Sequence, residues 1–198
     1  CDFNVLFFSY PKNLIPVVNA LEVFNAKVCK KNLSVKLAQG AGKQSFENAV
    51  KGKKTGFSVR VLDFLPQEEW DFLLCSSDLI FVRGEDSLSR ACLCGKPFVW
   101  HAYPQSENYQ LVKVQALLSK MKPFFAPDVF LVIEKCFLIY NDNEKSDEEL
   151  ESSVAEFLLS FNKIKKGFKD FSSSLLLNGN LAQNLIEFAQ SYITEHIF

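Results

Sequence analysis

This chain has no surplus of charge of either sign: 22 lysines and arginines stand against 23 aspartates and glutamates, a formal net charge of −1. Such a balance leaves no electrostatic footprint for nucleic acid or for an anionic membrane, so any anion it binds must be held locally. No apolar run approaches the roughly 18 residues of a membrane span. The opening CDFNVLFFSY lacks both the basic start and the cleavage pattern of a secretory signal, so a cytoplasmic protein is expected. Histidine is nearly missing, with His101 and His196 alone. Cys92 and Cys94 are two apart on a helical stretch and point different ways, so no zinc-type ligand set forms and no metal is expected. The six cysteines, at 1, 29, 75, 92, 94 and 136, are scattered through apolar or helical settings. That usage reads as reduced thiols serving as small hydrophobes, not as a disulfide framework.

Two familiar catalytic signatures are also lacking. GAGKQS at 40–45 invites comparison with a phosphate-binding P-loop, but Leu37 stands where the first glycine is needed and Gln44 where a hydroxyl should follow Lys43. A flexible basic loop is expected from 39 to 56 instead. No G-x-S-x-G elbow exists, and Ser87 with His101 and a nearby aspartate is a triple that arises by chance in most chains.

What is present is apolar content and alternation. With 198 residues and 48% hydrophobic residues the chain can bury a sizeable core, as one large domain or one with a small appendage. Apolar runs at 3–8, 34–38, 57–61, 79–82 and 98–101 read as strands, and helical spacing at 14–24, from Pro66 onward, at 88–94 and at 107–120 reads as helices between them. The expected fold class is α/β, a Rossmann-like doubly wound parallel sheet over residues 1–126. A helical part, 127–198, is expected to pack on the same domain, with helices at 129–140, 147 to about 161, and 181–192. Ligands of such sheets sit beyond the carboxyl ends of the strands. Phe8-Ser9-Tyr10, Phe64, Arg83 to Ser87 and His101 to Gln105 all fall there.

The stretch FVRGEDSLSRACLCGKPFVWHAYPQ, 81–105, is the densest in information. A buried strand stops at Arg83-Gly84. Asp86 or Ser87 can cap the next helix, Leu88, Ala91 and Cys92 keep its spacing, and Gly95 is the expected left-handed stop. A helix N-terminus beside Arg83 and a hydroxyl is an anion site. An ordinary turn, with Arg83 paired to Glu85 or Asp86 at the surface, explains these residues about equally well. Likewise Phe8, Tyr10 and Phe64 read first as core or edge aromatics in a chain with 20 phenylalanines.

The ordered series FLPQ at 64–67, RGEDS at 83–87, GKPFVWH and YPQ, after an opening LFFSY, resembles the C-terminal half of the EarP family, bacterial protein-arginine rhamnosyltransferases of elongation factor P. The likeness covers about residues 1–120 and fades into a helical pattern. It implies the C-terminal domain of a two-domain GT-B glycosyltransferase that binds dTDP-β-L-rhamnose and passes rhamnose, with inversion, to an arginine of elongation factor P. By the same resemblance Phe8, Tyr10 and Phe64 attend the nucleotide end, Gln67 the thymine edge, and Glu85, Asp86, Ser87 and Tyr103 the diphosphate and sugar. Gln105 belongs to the same YPQ run. Glu85 is the residue expected to matter for turnover, while Arg83, Tyr103 and the helix N-terminus take the part a metal would play. The family's N-terminal half, with acceptor contacts and the aspartate regarded as base, has no counterpart here, so a fragment or one half of a split gene, inactive alone, is expected. Another sugar-nucleotide transferase and a non-catalytic nucleotide-sugar binding module are the rival readings.

Overall fold

The computed structural model describes residues 2–29 and 32–197; Cys1 and the side chain of His196 lie outside the described residues. Five strands, β1 (Phe3–Phe7), β2 (Leu33–Leu37), β3 (Ser58–Val61), β4 (Leu79–Arg83) and β5 (Phe98–His101), form one sheet in the order β3-β2-β1-β4-β5. Every pairing is parallel, with Val5 opposite both Val35 and Leu79, and Arg83 opposite His101. The strand order reverses between β1 and β4, the switch point at which the loops beyond the strands diverge and leave a crevice.

Helices α1 (Ile15–Phe24), α2 (Lys43–Val50), α3 (Gln67–Ser76) and α4 (Glu85–Cys94) make the crossovers. α1 touches α2 and α3 touches α4, as right-handed crossovers require when a sheet is wound first one way and then the other. α5 (Gln110–Met121), α6 (Pro127–Asn141), α7 (Asp147–Leu159), α8 (Phe161–Leu176) and α9 (Leu181–Ile197) follow. α7 packs on α1 and α6, and α8 on α4, so these helices close over the sheet unit; α9 does not share in the expected packing, being exposed along residues 181–194.

Phenylalanine dominates the core. The Phe7 ring lies 4.7 Å from Phe46 and 4.8 Å from Phe81, and Phe98 meets Phe137 at 5.8 Å and Phe168 at 5.1 Å. Truncating one such ring to alanine leaves a cavity and costs about 3–5 kcal/mol.

Several expectations need correction. The 39–56 stretch is not wholly a loop, because α2 occupies Lys43–Val50 and buries Phe46 and Ala49 against the core; two apolar residues three apart were too few to signal it among glycines and lysines. The stretch after 161 holds a further helix, α8, whose buried apolar side chains are Ile164, Phe168 and Phe171, with Phe161 and Leu175 half-buried beside them, among lysines and serines. The α4 cap is Gly84, not Asp86 or Ser87: its φ of +71° starts the helix at Glu85 with no capping side chain. Cys75 and Cys94 form a disulfide. They are far apart in sequence, and only the packing of α3 on α4 brings the ends of those helices together. Gly95 does stop α4 in the left-handed region, at φ +64°.

Candidate functional site

Arg83 closes β4, and its guanidinium carbon sits 4.4 Å from the centre of the Phe8 ring and 4.7 Å from that of Tyr10. Its Nε is buried without a hydrogen-bond partner. The surface pairing with Glu85 or Asp86 is therefore not what Arg83 does. A third side is the backbone of Gly40, where an added Cβ would stand 3.0 Å from Phe8 and 3.3 Å from an Arg83 guanidinium nitrogen. The aromatic faces hold the cation by its quadrupole attraction without consuming its N–H groups. An arginine so held keeps donors for an anion.

Beside it stands the N-terminus of α4. No side chain caps this helix, so the first-turn N–H groups of Glu85, Asp86 and Ser87 and the positive end of the helix dipole are available to a ligand. Trp100 Nε1 donates to the Gly84 carbonyl at 3.0 Å and the Gly84 N–H donates to the His101 carbonyl at 3.3 Å, which pin the strand-to-helix turn.

These groups open into a cavity of about 280 Å³ lined by Phe8, Gln39, Gly40, Phe64, Gln67, Trp70, Arg83, Asp86 and Ser87, among others. Larger hollows of about 700 and 810 Å³ exist elsewhere, but neither lies at the strand ends of the switch point. Of the ten residues singled out from sequence, Phe8, Phe64, Gln67, Arg83, Asp86 and Ser87 line this one cavity. Phe64 is 86% exposed, a cost for a large apolar ring that a stacked ligand would remove. Its reading as a core aromatic fails.

The remaining four lie around or away from the cavity. Tyr10 flanks Arg83, and Tyr103 sits edge-on to Tyr10 with ring centres 5.3 Å apart. Glu85 faces α5 instead: its carboxylate accepts from Lys113 Nζ at 2.9 Å, and that hydrogen bond holds it below the usual carboxylate range. Gln105 is exposed, with its backbone N–H donating to Gln110 Oε1 at 3.0 Å. Sequence reasoning missed Trp70, Gln39 and Gly40. Trp70 sits edge-on to Phe8 at 5.3 Å; an aromatic one turn into the helix that follows FLPQ was the available signal.

A polar chain fixes the cavity wall. Gln67 Nε2 donates to Asp71 at 3.1 Å, Arg90 clamps both Asp71 oxygens at 2.8 and 2.6 Å, and Arg90 Nε donates to Asp86 at 3.0 Å. So α3 and α4 are locked at the depth where Gln67 and Asp86 meet the cavity. Beneath, the Tyr10 N–H and the Ser9 hydroxyl both reach His101 Nδ1, at 3.2 and 2.7 Å, and Tyr140 reaches Ser9 at 3.3 Å. A backbone N–H can only donate, so Nδ1 is the acceptor and Nε2 carries the ring proton. Burial, with Lys12 and Arg83 nearby, pushes His101 down to about 3. It is a neutral strut that positions Tyr10. Burial also lowers Lys12 to about 8, and its Nζ donates to the Tyr140 carbonyl at 2.6 Å.

The family model described as Elongation-Factor P (EF-P) rhamnosyltransferase EarP matches residues 2–190. The chain belongs to the EarP family. Membership thus reaches well into the C-terminal helices, beyond the stretch to about 120 on which the likeness was first drawn. Relatives named protein-arginine rhamnosyltransferase include one from Neisseria meningitidis serogroup B, 48% identical over 73 residues (36% of this chain, 19% of the relative). One from Shewanella oneidensis is 36% identical over 89 residues (45% and 22%), and one from Pseudomonas aeruginosa 48% over 60 residues (30% and 16%). A solved structure on EarP-mediated arginine glycosylation of translation elongation factor EF-P superposes with a TM-score of 0.78 at 20% identity, covering 96% of this chain and 61% of that one. At that identity the superposition shows a shared fold, and this chain spans less than two thirds of the solved EarP.

Among the described residues no group of three or more His, Cys, Asp or Glu is placed to hold a metal ion, and no helix is long and apolar enough to cross a membrane.

Proposed function

We propose that this chain is the donor-binding half of a protein-arginine rhamnosyltransferase: it holds dTDP-β-L-rhamnose, and with an N-terminal acceptor half it transfers rhamnose, with inversion, to an arginine of elongation factor P. The observation that carries the reading is Arg83, clasped by two aromatic rings with an unpartnered Nε, beside an uncapped helix N-terminus at the switch point of the sheet. In an EarP family member this combination suits the diphosphate of a sugar nucleotide. Phe64 and Trp70 offer aromatic surface to the thymine, and the Gln67 amide can both donate to and accept from its edge.

The chain's part in the reaction is positioning and charge stabilisation. As the glycosidic C–O bond breaks, negative charge grows on the departing diphosphate, and Arg83 with the first-turn N–H groups of α4 stands ready to receive it without reorganising. Those donors fill the place of a divalent cation, so no metal is required. The arginine nucleophile belongs to elongation factor P, and the base that takes its proton to the acceptor half.

Calorimetric titration with dTDP-β-L-rhamnose, with UDP-glucose as control and EDTA present, tests this. Saturable binding of the thymidine compound with a weaker or absent response to the uridine one is expected. Equal binding of both, or binding abolished by EDTA, overturns it. One feature favours a second reading, a non-catalytic nucleotide-sugar binding module: Glu85, the carboxylate nearest the diphosphate groups in sequence, is turned to Lys113. Restored transfer on adding an EarP N-terminal half would exclude that module.

A further inference from the structure

Cys75 lies in the last turn of α3 and Cys94 ends α4, at the opposite ends of these helices from Gln67, Asp86 and Ser87, and the two sulfurs are bonded. Cys94 lines a hollow of about 700 Å³ with Lys96, Lys165, Lys166 and Lys169. Cys75 is not part of that lining, although it is the more exposed of the two. Lys166 is paired with Asp170, while Lys96, Lys165 and Lys169 have no ion-pair partner among the described residues. The one carboxylate in the lining, Asp78, is occupied by the Asn4 N–H at 2.9 Å. The α8 wall is fixed to the end of α4 by Ser172 Oγ, which donates to the Leu93 carbonyl at 2.8 Å. In a chain of net charge −1 this is a local cationic basin with one residue of the disulfide in its wall.

We propose that this basin docks an anionic low-molecular-weight thiol, which opens the Cys75–Cys94 disulfide by exchange at Cys94. The docked thiolate attacks Cys94 Sγ in line with the S–S bond. A mixed disulfide forms at Cys94, and Cys75 leaves as a thiolate that takes a proton from water. A second molecule of the thiol attacks the external sulfur of the mixed disulfide, frees Cys94, and departs as the symmetrical disulfide; two thiols are oxidised for one protein disulfide reduced. The lysines raise the local thiolate concentration and stabilise the charge left on Cys94. Cys29, Cys92 and Cys136 are buried, so among the described residues the chemistry is confined to this pair. Opening it leaves the Arg90–Asp71 clamp as the remaining polar tie between α3 and α4. α3 fully buries only Leu74, so it is the element that loosens.

The wild-type chain is reduced with glutathione and, separately, with neutral 2-mercaptoethanol, quenched with iodoacetamide, and read by peptide mass spectrometry. After allowance for their thiol pKa values, glutathione should be faster by about tenfold at low salt. The advantage should shrink in high salt and in the Lys165→Glu, Lys169→Glu variant. Equal rates, or an advantage indifferent to salt, overturn the proposal. Oxidised glutathione then labels the Cys75→Ser and Cys94→Ser variants, and the half-buried Cys94 should react faster than the exposed Cys75, opposite to the order that exposure alone dictates. A faster Cys75 overturns the assignment. Hydrogen exchange on the reduced wild-type chain should rise in α3; an unchanged α3 removes the loosening from the proposal.

Discussion

Arg83 and Phe8 form a cation–π pair at 4.4 Å in which the arginine Nε is buried and has no partner. Leaving a charged donor unsatisfied in a folded protein is costly, and the cost is offset when a ligand oxygen arrives. A lysine could not substitute, because an ammonium lacks both the planar face for the rings and the fork of donors.

Arg83→Lys should therefore weaken dTDP binding by about 1.5–3 kcal/mol, the range for hydrogen bonds to charged groups, with the secondary structure unchanged. Calorimetry checks the affinity and circular dichroism the fold. Unaltered affinity would make Arg83 a packing residue.

Phe64→Ala should cost about 1–3 kcal/mol of dTDP affinity, as for a base stacked on an aromatic ring. Its melting temperature should stay put, because the ring is 86% exposed in the unliganded chain. A lowered melting temperature with full affinity would contradict the assignment.

His101 supplies a pH signature. Its pKa is about 3 in the folded chain against 6.5 ordinarily, lowered by burial first and by Lys12 and Arg83 next. Between those values the unfolded chain binds the proton and the folded chain does not, so stability is complete above pH 6.5 and falls as the pH drops towards 3. From pH 6.5 to 4.5, above most carboxylate titration, the loss should be about 2 kcal/mol. Urea unfolding across that window should show the slope in wild type and a flatter one in His101→Asn. Lys12 acts at the other end: with its pKa lowered to about 8, the unfolded chain again binds more protons, so stability should rise with pH from about 8 to 10.

Glu85→Gln breaks an exposed pair with Lys113, and such pairs contribute about 0–1 kcal/mol. Donor affinity should stay within about twofold, a difference of under 0.5 kcal/mol, in the same titration. A large loss would show that Glu85 swings from Lys113 to the donor when it binds.

The parallel α/β class, the strand positions and the Gly95 stop were legible in the sequence, because burial on both faces of a parallel sheet forces uninterrupted apolar runs and a left-handed helix stop favours glycine. The FLPQ and RGEDS runs likewise marked the loops that meet at the crevice, since strand ends in such a sheet converge whatever the side chains are. Tertiary structure alone decided the rest. Arg83 could have paired with Glu85 or Asp86, and only the register of β4 beside β1 put it between Phe8 and Tyr10. Glu85 and Asp86 are adjacent in sequence, yet the 100° turn between successive helical residues sends one to Lys113 and the other to the cavity wall. Cys75 and Cys94 read as separate apolar thiols until α3 lay against α4 and brought their last turns together. Periodicity reports which face of an element is buried; which distant residue waits on that face is set by how the elements cross, and no local pattern carries that information.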